Sequence, residues 1–187
     1  MNQKKMEIQK PIRLMEKVNK HPIPCLQEVF KAFHLLDITN ELNHWFQVGM
    51  SNDNSAYEDG IQRSNLMRFN GELQILAEAL CLINKSHQPK GLKDRMERLP
   101  PEIKMVMQQY NQPTKLSLEE MINPMQVVKR FCSVFTREYA NREMWDWLDA
   151  VITYDGEYPN AVYKGHILTF YECLICLIES AFVLTNK

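Results

Sequence analysis

The stretch FYECLICLIESAF, residues 170–182, decides the fold of this chain. Written as a helix, it places apolar side chains around most of its circumference. A helix that is apolar on nearly all sides is buried in a protein core. We therefore expect a C-terminal helix over residues 161–184 that is mostly buried, near the centre of a helical bundle.

Two cysteines, Cys173 and Cys176, lie three residues apart in the middle of this stretch. A redox-active Cys-x-x-Cys pair stands at the start of a helix, where the helix dipole lowers the pKa of a thiol. Here the pair lies mid-helix, and a zinc ion would need two further ligands from elsewhere in the chain. The remaining cysteines, Cys25, Cys81 and Cys132, are single residues without a metal-ligand spacing. We predict that Cys173 and Cys176 are core residues, and we assign no metal ligand.

The composition favours helices along the whole chain. Only 6 of the 187 residues are glycine, whereas β-hairpins and dinucleotide-binding folds use glycine in turns and phosphate-binding loops. The clearest helical periodicity covers residues 61–85, where apolar residues recur in steps of three and four. Its apolar face consists of Leu66, Phe69, Leu73, Leu76, Leu80 and Ile83. The sequence therefore predicts an all-α protein, a single compact multi-helix bundle of six or more helices.

Two parts of the sequence bear on the domain organisation, the N-terminal residues 1–10 and the irregular region at residues 86–123. Residues 1–10 are rich in lysine and predict a mobile basic tail. We expect residues 11–187 to form a single helical domain. The alternative is that this domain divides into two near residues 86–123. Two short helices are expected within that region, at about 91–98 and 101–110.

Breaks between the other helices are expected at three places. Pro22 and Pro24 predict an extended link over residues 21–24, because proline restricts the residue before it to extended conformations. Polar capping residues predict a break at residues 37–39. A slip in the apolar periodicity predicts a kink or break at residues 140–142.

The charge and the cysteine content bound the environment. The net charge of −1 gives no overall electrostatic attraction to nucleic acid or to a membrane surface. The N-terminal residues lack the apolar core of a secretory signal peptide, and the cysteine count of 5 is odd. The longest apolar stretch is interrupted by Glu172 and Glu179, so we do not expect it to span a membrane. We expect a cytoplasmic protein with reduced thiols, no cofactor and no membrane partner.

The leading functional hypothesis places a partner-binding surface within residues 143–158. Trp147 is expected on a different helix face from the core residue Leu148, beside acidic side chains, with tyrosines following. Aromatic residues next to acidic ones suit a basic or amphipathic protein partner. The candidate partner-binding residues are Asp146, Trp147, Asp149, Tyr154, Glu157 and Tyr158. This pattern predicts a non-catalytic protein-interaction or regulatory module whose partner is an unknown protein, with homo-oligomerisation as an open alternative.

An alternative hypothesis treats residues 26–48 as a helix-turn-helix that binds DNA. The first helix would cover residues 26–35, the turn residues 36–38, and the recognition helix residues 39–48. Asparagine and glutamine can read adenine edges in the major groove. The outward-facing candidates are Thr39, Asn40, Asn43, His44 and Gln47. Against this hypothesis, the turn lacks glycine and the proposed recognition helix carries no lysine or arginine.

A third hypothesis is a metal-dependent helical-bundle enzyme. Glu41 and His44 form one Glu-x-x-His motif, but di-iron bundles use two such motifs and two further carboxylates. The sequence contains no phosphate-binding loop, no dinucleotide-binding motif and no nucleophile elbow. We therefore assign no catalytic residue.

Overall fold

The computed structural model describes residues 12–51, 59–86, 110–152 and 161–186. These residues form eight helices and no strand, which confirms the all-α prediction. In chain order the helices are α1 (Ile12–Lys20), α2 (Pro22–Ala32), α3 (Leu35–Ser51), α4 (Gly60–Lys85), α5 (Leu118–Ile122), α6 (Pro124–Val134), α7 (Arg137–Ile152) and α8 (Ala161–Thr185). The predicted basic tail and the helices expected at 91–98 and 101–110 lie outside the described residues, apart from residue 110.

The C-terminal helix α8 is partly buried, packs against α2 to α6 and also meets α7 through aromatic ring contacts. Phe170, Leu174 and Ile178 are completely buried in the core, while Leu168 and Glu172 are exposed. The prediction for residues 161–184 is confirmed within one residue, because its apolar circumference needs neighbours on most sides.

Helix α8 also contains a segment, His166–Thr185, that is long and apolar enough to cross a membrane by length and composition alone. The core helix of a water-soluble bundle meets the same criterion, and 56% of the segment is buried inside the protein. The segment therefore carries little weight as a membrane span.

Helix α4 confirms the strongest periodicity in the sequence. It begins after Asp59, whose side chain accepts a hydrogen bond from the backbone N–H of Ile61 at 2.8 Å, as an N-cap residue does. It packs against α2, α6, α7 and α8. Trp45 from α3 makes edge-to-face contacts with Phe69 of α4 and Trp147 of α7, so three helices meet around this indole.

The expected link at 21–24 and the expected break at 37–39 are both wrong in position. Helix α2 already begins at Pro22, because the first helical turn needs no backbone donors and tolerates proline. The break between α2 and α3 falls at residues 33–34. Helix α3 begins at Leu35 because its backbone N–H donates to Asn111 Oδ1 at 2.9 Å, a partner distant in sequence.

The break expected at residues 140–142 lies earlier, at residues 135–136. Phe135 has an extended backbone conformation, and the Thr136 hydroxyl accepts a hydrogen bond from the backbone N–H of Tyr139 at 3.2 Å. Helix α7 then continues without interruption through residues 140–142. The apolar pattern shifts near residue 140 because a new helix, α7, has begun at Arg137 with its own buried face.

Candidate functional site

The structure corrects the expected position of Trp147 in the acidic aromatic region. Its side chain is only 1% exposed, and its indole Nε1–H donates to the backbone carbonyl of Trp45 at 3.1 Å. Trp147 shares the buried face of α7 with Met144 and Leu148, since that face is wider than the single stripe inferred from the sequence. Trp147 is therefore a core residue and is not available to a partner.

The other residues of that predicted surface divide into two groups. Asp146 and Asp149 are exposed on α7, as a partner-binding surface requires. Tyr154, Glu157 and Tyr158 lie outside the described residues. The acidic part of the hypothesis stays a prediction.

The candidate DNA-reading residues lie along one side of α3. Asn40, Asn43 and Gln47 are exposed, whereas Thr39 and His44 are half-buried. The Asn43 side chain accepts a hydrogen bond at 3.4 Å from a tyrosine hydroxyl of α8, so this side borders another helix. No observation specifically favours DNA binding, which stays a prediction.

The Glu-x-x-His motif on α3 serves the core. Glu41 Oε1 accepts a hydrogen bond from Trp45 Nε1 at 3.0 Å. Within the described ranges, no group of three or more histidine, cysteine, aspartate or glutamate side chains could hold a metal ion.

A cavity of about 280 Å³ opens between the start of α3 and α4. Phe33 and Phe69 give it an apolar lining, and Asp37 and Glu41 add two carboxylates. Both carboxylates already serve the fold, because Asp37 accepts a hydrogen bond from the backbone N–H of His34 and Glu41 accepts one from an indole. The cavity therefore offers an apolar lining and two side-chain amides besides these two committed carboxylates.

Cys173 and Cys176 are half-buried thiols in the middle of α8. Burial raises the pKa of Cys173, and it raises the pKa of Cys176 to about 11. Both residues are therefore protonated near neutral pH and are poor nucleophiles.

A second pair of thiols, Cys81 of α4 and Cys132 of α6, was not foreseen from the sequence. Their sulfur atoms lie 3.4 Å apart although 51 positions separate the residues in the chain. The contact between them raises the pKa of Cys81 and lowers the pKa of Cys132, which also receives a hydrogen bond from the Asn84 side chain. The nearby Lys85 ammonium favours the thiolate of Cys132 as well. No local motif could have revealed this pair, since only the packing of α4 against α6 creates it.

A polar stripe continues from the thiol pair along α4. The buried Glu78 carboxylate forms an ion pair with the Arg137 guanidinium at the start of α7. Gln74 and Asn70 follow at intervals of four residues and are also buried. Among the described residues, the Gln74 Nε2 atom and both polar atoms of the Asn70 side chain find no hydrogen-bond partner. The thiol pair therefore belongs to a polar stripe that enters the helical core, where unsatisfied amides destabilise the fold.

The short helix α5 presents an exposed apolar surface. Leu118 and Ile122 are each 76% exposed, and the four-residue spacing places them on the same helix face. We call these two side chains the α5 ridge. None of the residues of α5 is buried, so the helix is not held in place by a buried apolar side of its own.

Polar contacts hold α5 instead. Ser117 and Glu120 form a reciprocal capping box, in which each side chain binds the backbone N–H of the other residue. Glu120 also pairs with Arg130 of α6 at 3.3 Å.

The segment that leads into α5 is held by a buried carboxylate. Glu179 of α8 is fully buried, and its two oxygens accept hydrogen bonds from the backbone N–H groups of Thr114, Lys115 and Leu116. The Thr114 hydroxyl donates to the same carboxylate at 3.1 Å. Successive N–H groups that converge on one carboxylate form an anion-binding nest. Here the protein fills its own nest, which fixes the approach to α5.

The described residues therefore form an all-α bundle with an apolar ridge held by polar contacts and a thiol pair between two of its helices. Comparison with protein-family models, with curated proteins and with solved structures gave no match.

Proposed function

We propose that this protein is a non-catalytic interaction module that binds a partner protein through the α5 ridge. The observation that carries the proposal is the 76% exposure of both Leu118 and Ile122 on one face of a helix. Isolated exposed aliphatic residues are common on protein surfaces, but adjacent ones on an element held in place by polar contacts indicate a binding surface.

The manner in which α5 is held supports this function. A helix of five residues is too short to be stable alone, because helix nucleation is unfavourable. The capping box, the pair between Glu120 and Arg130 and the Glu179 nest keep it folded before any partner arrives. Such preorganisation lowers the entropy that binding must remove.

The ridge fits a particular kind of partner site. Two aliphatic side chains one helical turn apart suit an apolar groove on a partner protein, as in helix-in-groove recognition. Burying one leucine and one isoleucine stabilises a complex by about 3–5 kcal/mol. The exposed Asp146 and Asp149 of α7 would add an acidic surface that contacts the same partner. The protein would act in the cytoplasm.

The test compares two double variants of the full chain. Leu118→Ser with Ile122→Ser removes the ridge, while Ile61→Ser with Met67→Ser removes two exposed apolar residues of α4. Each protein is immobilised, the captured proteins are quantified by mass spectrometry, and the affinity of the leading partner is measured by titration calorimetry. We expect the ridge variant to lose about a hundredfold or more in Kd and the α4 variant to retain wild-type affinity.

Two results would contradict the proposal. Equal binding by the ridge variant and the wild type would exclude the ridge as the binding surface. Equal losses in both variants would show that capture reflects general surface hydrophobicity. Sedimentation velocity tests whether the partner is a second copy of this chain. That partner is identified if the wild type is a dimer and the ridge variant is a monomer.

A further inference from the structure

The thiol pair of α4 and α6 has chemistry that the interaction function does not use. We propose that Cys81 and Cys132 form a reversible intramolecular disulfide, and that a low-molecular-weight disulfide is the oxidant. This inference is independent of the α5 ridge, since it rests on the contact between two sulfur atoms.

The geometry supports bond formation without refolding. The sulfur atoms are 3.4 Å apart, and a disulfide requires about 2.05 Å. Small side-chain rotations and a small shift between two packed helices can close this difference. Both residues are free thiols and are partly exposed, so a small oxidant can reach them.

The surroundings assign different roles to the two thiols. Either thiol can donate in the contact between the two sulfur atoms, but Cys132 also receives a hydrogen bond from the Asn84 side chain and lies near the Lys85 ammonium, and both favour a negative charge on its sulfur. Cys132 is therefore the residue that attacks the oxidant, and Cys81 is the residue that resolves the intermediate. Burial is the largest cause of the raised pKa values of Cys25, Cys173 and Cys176, and it outweighs the nearby positive charges of Lys17 and Arg130.

The reaction proceeds in two balanced steps of thiol–disulfide exchange. The Cys132 thiolate attacks one sulfur of the small disulfide, forms a mixed disulfide and releases one small thiolate. The Cys81 sulfur then attacks the Cys132 sulfur, and the second small thiolate leaves as the Cys81 proton passes to the solvent. Two protein thiols are oxidised, and one small disulfide is reduced to two small thiols.

The oxidised bond would join the middle of the bundle covalently. Cys81 lies three residues after Glu78, whose ion pair with Arg137 already connects α4 to the start of α7. A disulfide at this position restrains the relative motion of α4 and α6 beside the stripe that carries the unsatisfied Gln74 and Asn70. Closing a loop of 51 residues also reduces the entropy of the unfolded chain, and we expect Tm to rise by about 5–10 °C.

The experiment treats the reduced full-length protein with defined ratios of reduced and oxidised glutathione. Remaining thiols are alkylated, and peptide mapping identifies any disulfide. We expect the wild type to lose two hydrogens in its intact mass, to yield a Cys81–Cys132 linked peptide pair, and to return to the reduced state with excess reduced glutathione. A different linked pair, or five alkylatable thiols at every ratio, would overturn the proposal.

Variants distinguish the two roles of the thiols. Cys81→Ser should stop at a stable mixed disulfide on Cys132, and Cys132→Ser should leave Cys81 largely unmodified. The double variant Cys173→Ser with Cys176→Ser is the matched control and should form the disulfide at the wild-type rate. Modification of Cys81 in Cys132→Ser as fast as the wild type reacts would contradict the assignment of roles. Peptide mapping of the wild type identifies the linked cysteines even if a serine variant folds poorly.

Discussion

Replacement of Glu179 by glutamine tests whether the buried carboxylate nest stabilises the fold. Oxygen Oε2 accepts from Lys115 N–H at 2.9 Å and Leu116 N–H at 3.0 Å. In Glu179→Gln an amide nitrogen stands in place of Oε2, so the Leu116 N–H loses its acceptor and the Lys115 N–H keeps only its 3.2 Å contact with Oε1. The Oε1 contacts with Thr114 can persist through the amide oxygen.

The expected loss follows from these contacts. Each buried donor that loses its partner costs about 1–3 kcal/mol, and hydrogen bonds to a charged acceptor lie at the upper end. The complete loss at Leu116 and the weakened contact at Lys115 together give about 3 kcal/mol for Glu179→Gln. For a chain of 187 residues this loss corresponds to a fall in Tm of about 6–12 °C.

The assay is equilibrium urea unfolding at neutral pH, with Glu172→Gln as the matched control. Glu172 is exposed on the same helix, and an exposed substitution changes the free energy of unfolding by about 0.5 kcal/mol or less. If Glu179→Gln loses less than about 1 kcal/mol, the nest does not stabilise the fold and our reasoning is refuted.

Native-state proteolysis gives a second readout of the same variant. Lys115 is exposed, but its backbone N–H is held by the Glu179 carboxylate. Trypsin should cleave after Lys115 faster in Glu179→Gln than in Glu172→Gln, because local opening then requires less free energy. Equal cleavage rates would show that other contacts hold this segment.

Two further predictions concern charged groups in the α4 and α7 region. Burial raises the pKa of Glu143, so the folded state binds a proton more tightly than the unfolded chain, and this carboxylate destabilises the fold increasingly as pH rises through the folded pKa. Glu143→Gln should therefore increase the urea-unfolding free energy at pH ~7 and lose that advantage toward pH ~4; an advantage independent of pH would contradict the burial explanation. Arg137→Met removes the guanidinium beside the buried Glu78 and should cost about 3–5 kcal/mol, whereas adding Glu78→Met should recover much of that loss in a double-mutant cycle; no recovery would show that the Arg137 effect does not act through Glu78.

The main helices could be predicted because their apolar periodicity is long and regular. Helix α4 repeats its apolar spacing over its full length, and the apolar circumference of α8 requires neighbours on most sides. The helix breaks were less predictable. The start of α3 depends on Asn111, a hydrogen-bond partner 76 residues away, so no local pattern indicates it.

The candidate sites were mostly beyond reach of the sequence. Trp147 was placed on the surface because its neighbours in the chain are acidic, but its indole packs beneath α3 and binds a carbonyl there. Leu118 is exposed, which no local pattern in the sequence indicated. Exposure depends on whether another helix covers a residue, and only the assembled bundle shows this.

The sequence by itself determined the all-α class and the two long helices, because these follow from local periodicity. The tertiary structure alone decided which distant groups meet. It brought Cys81 to Cys132, Glu78 to Arg137 and Glu179 to the segment before α5. The physical reason is that hydrogen bonds and ion pairs act over a few ångströms, and folding creates such distances between residues that the chain keeps far apart.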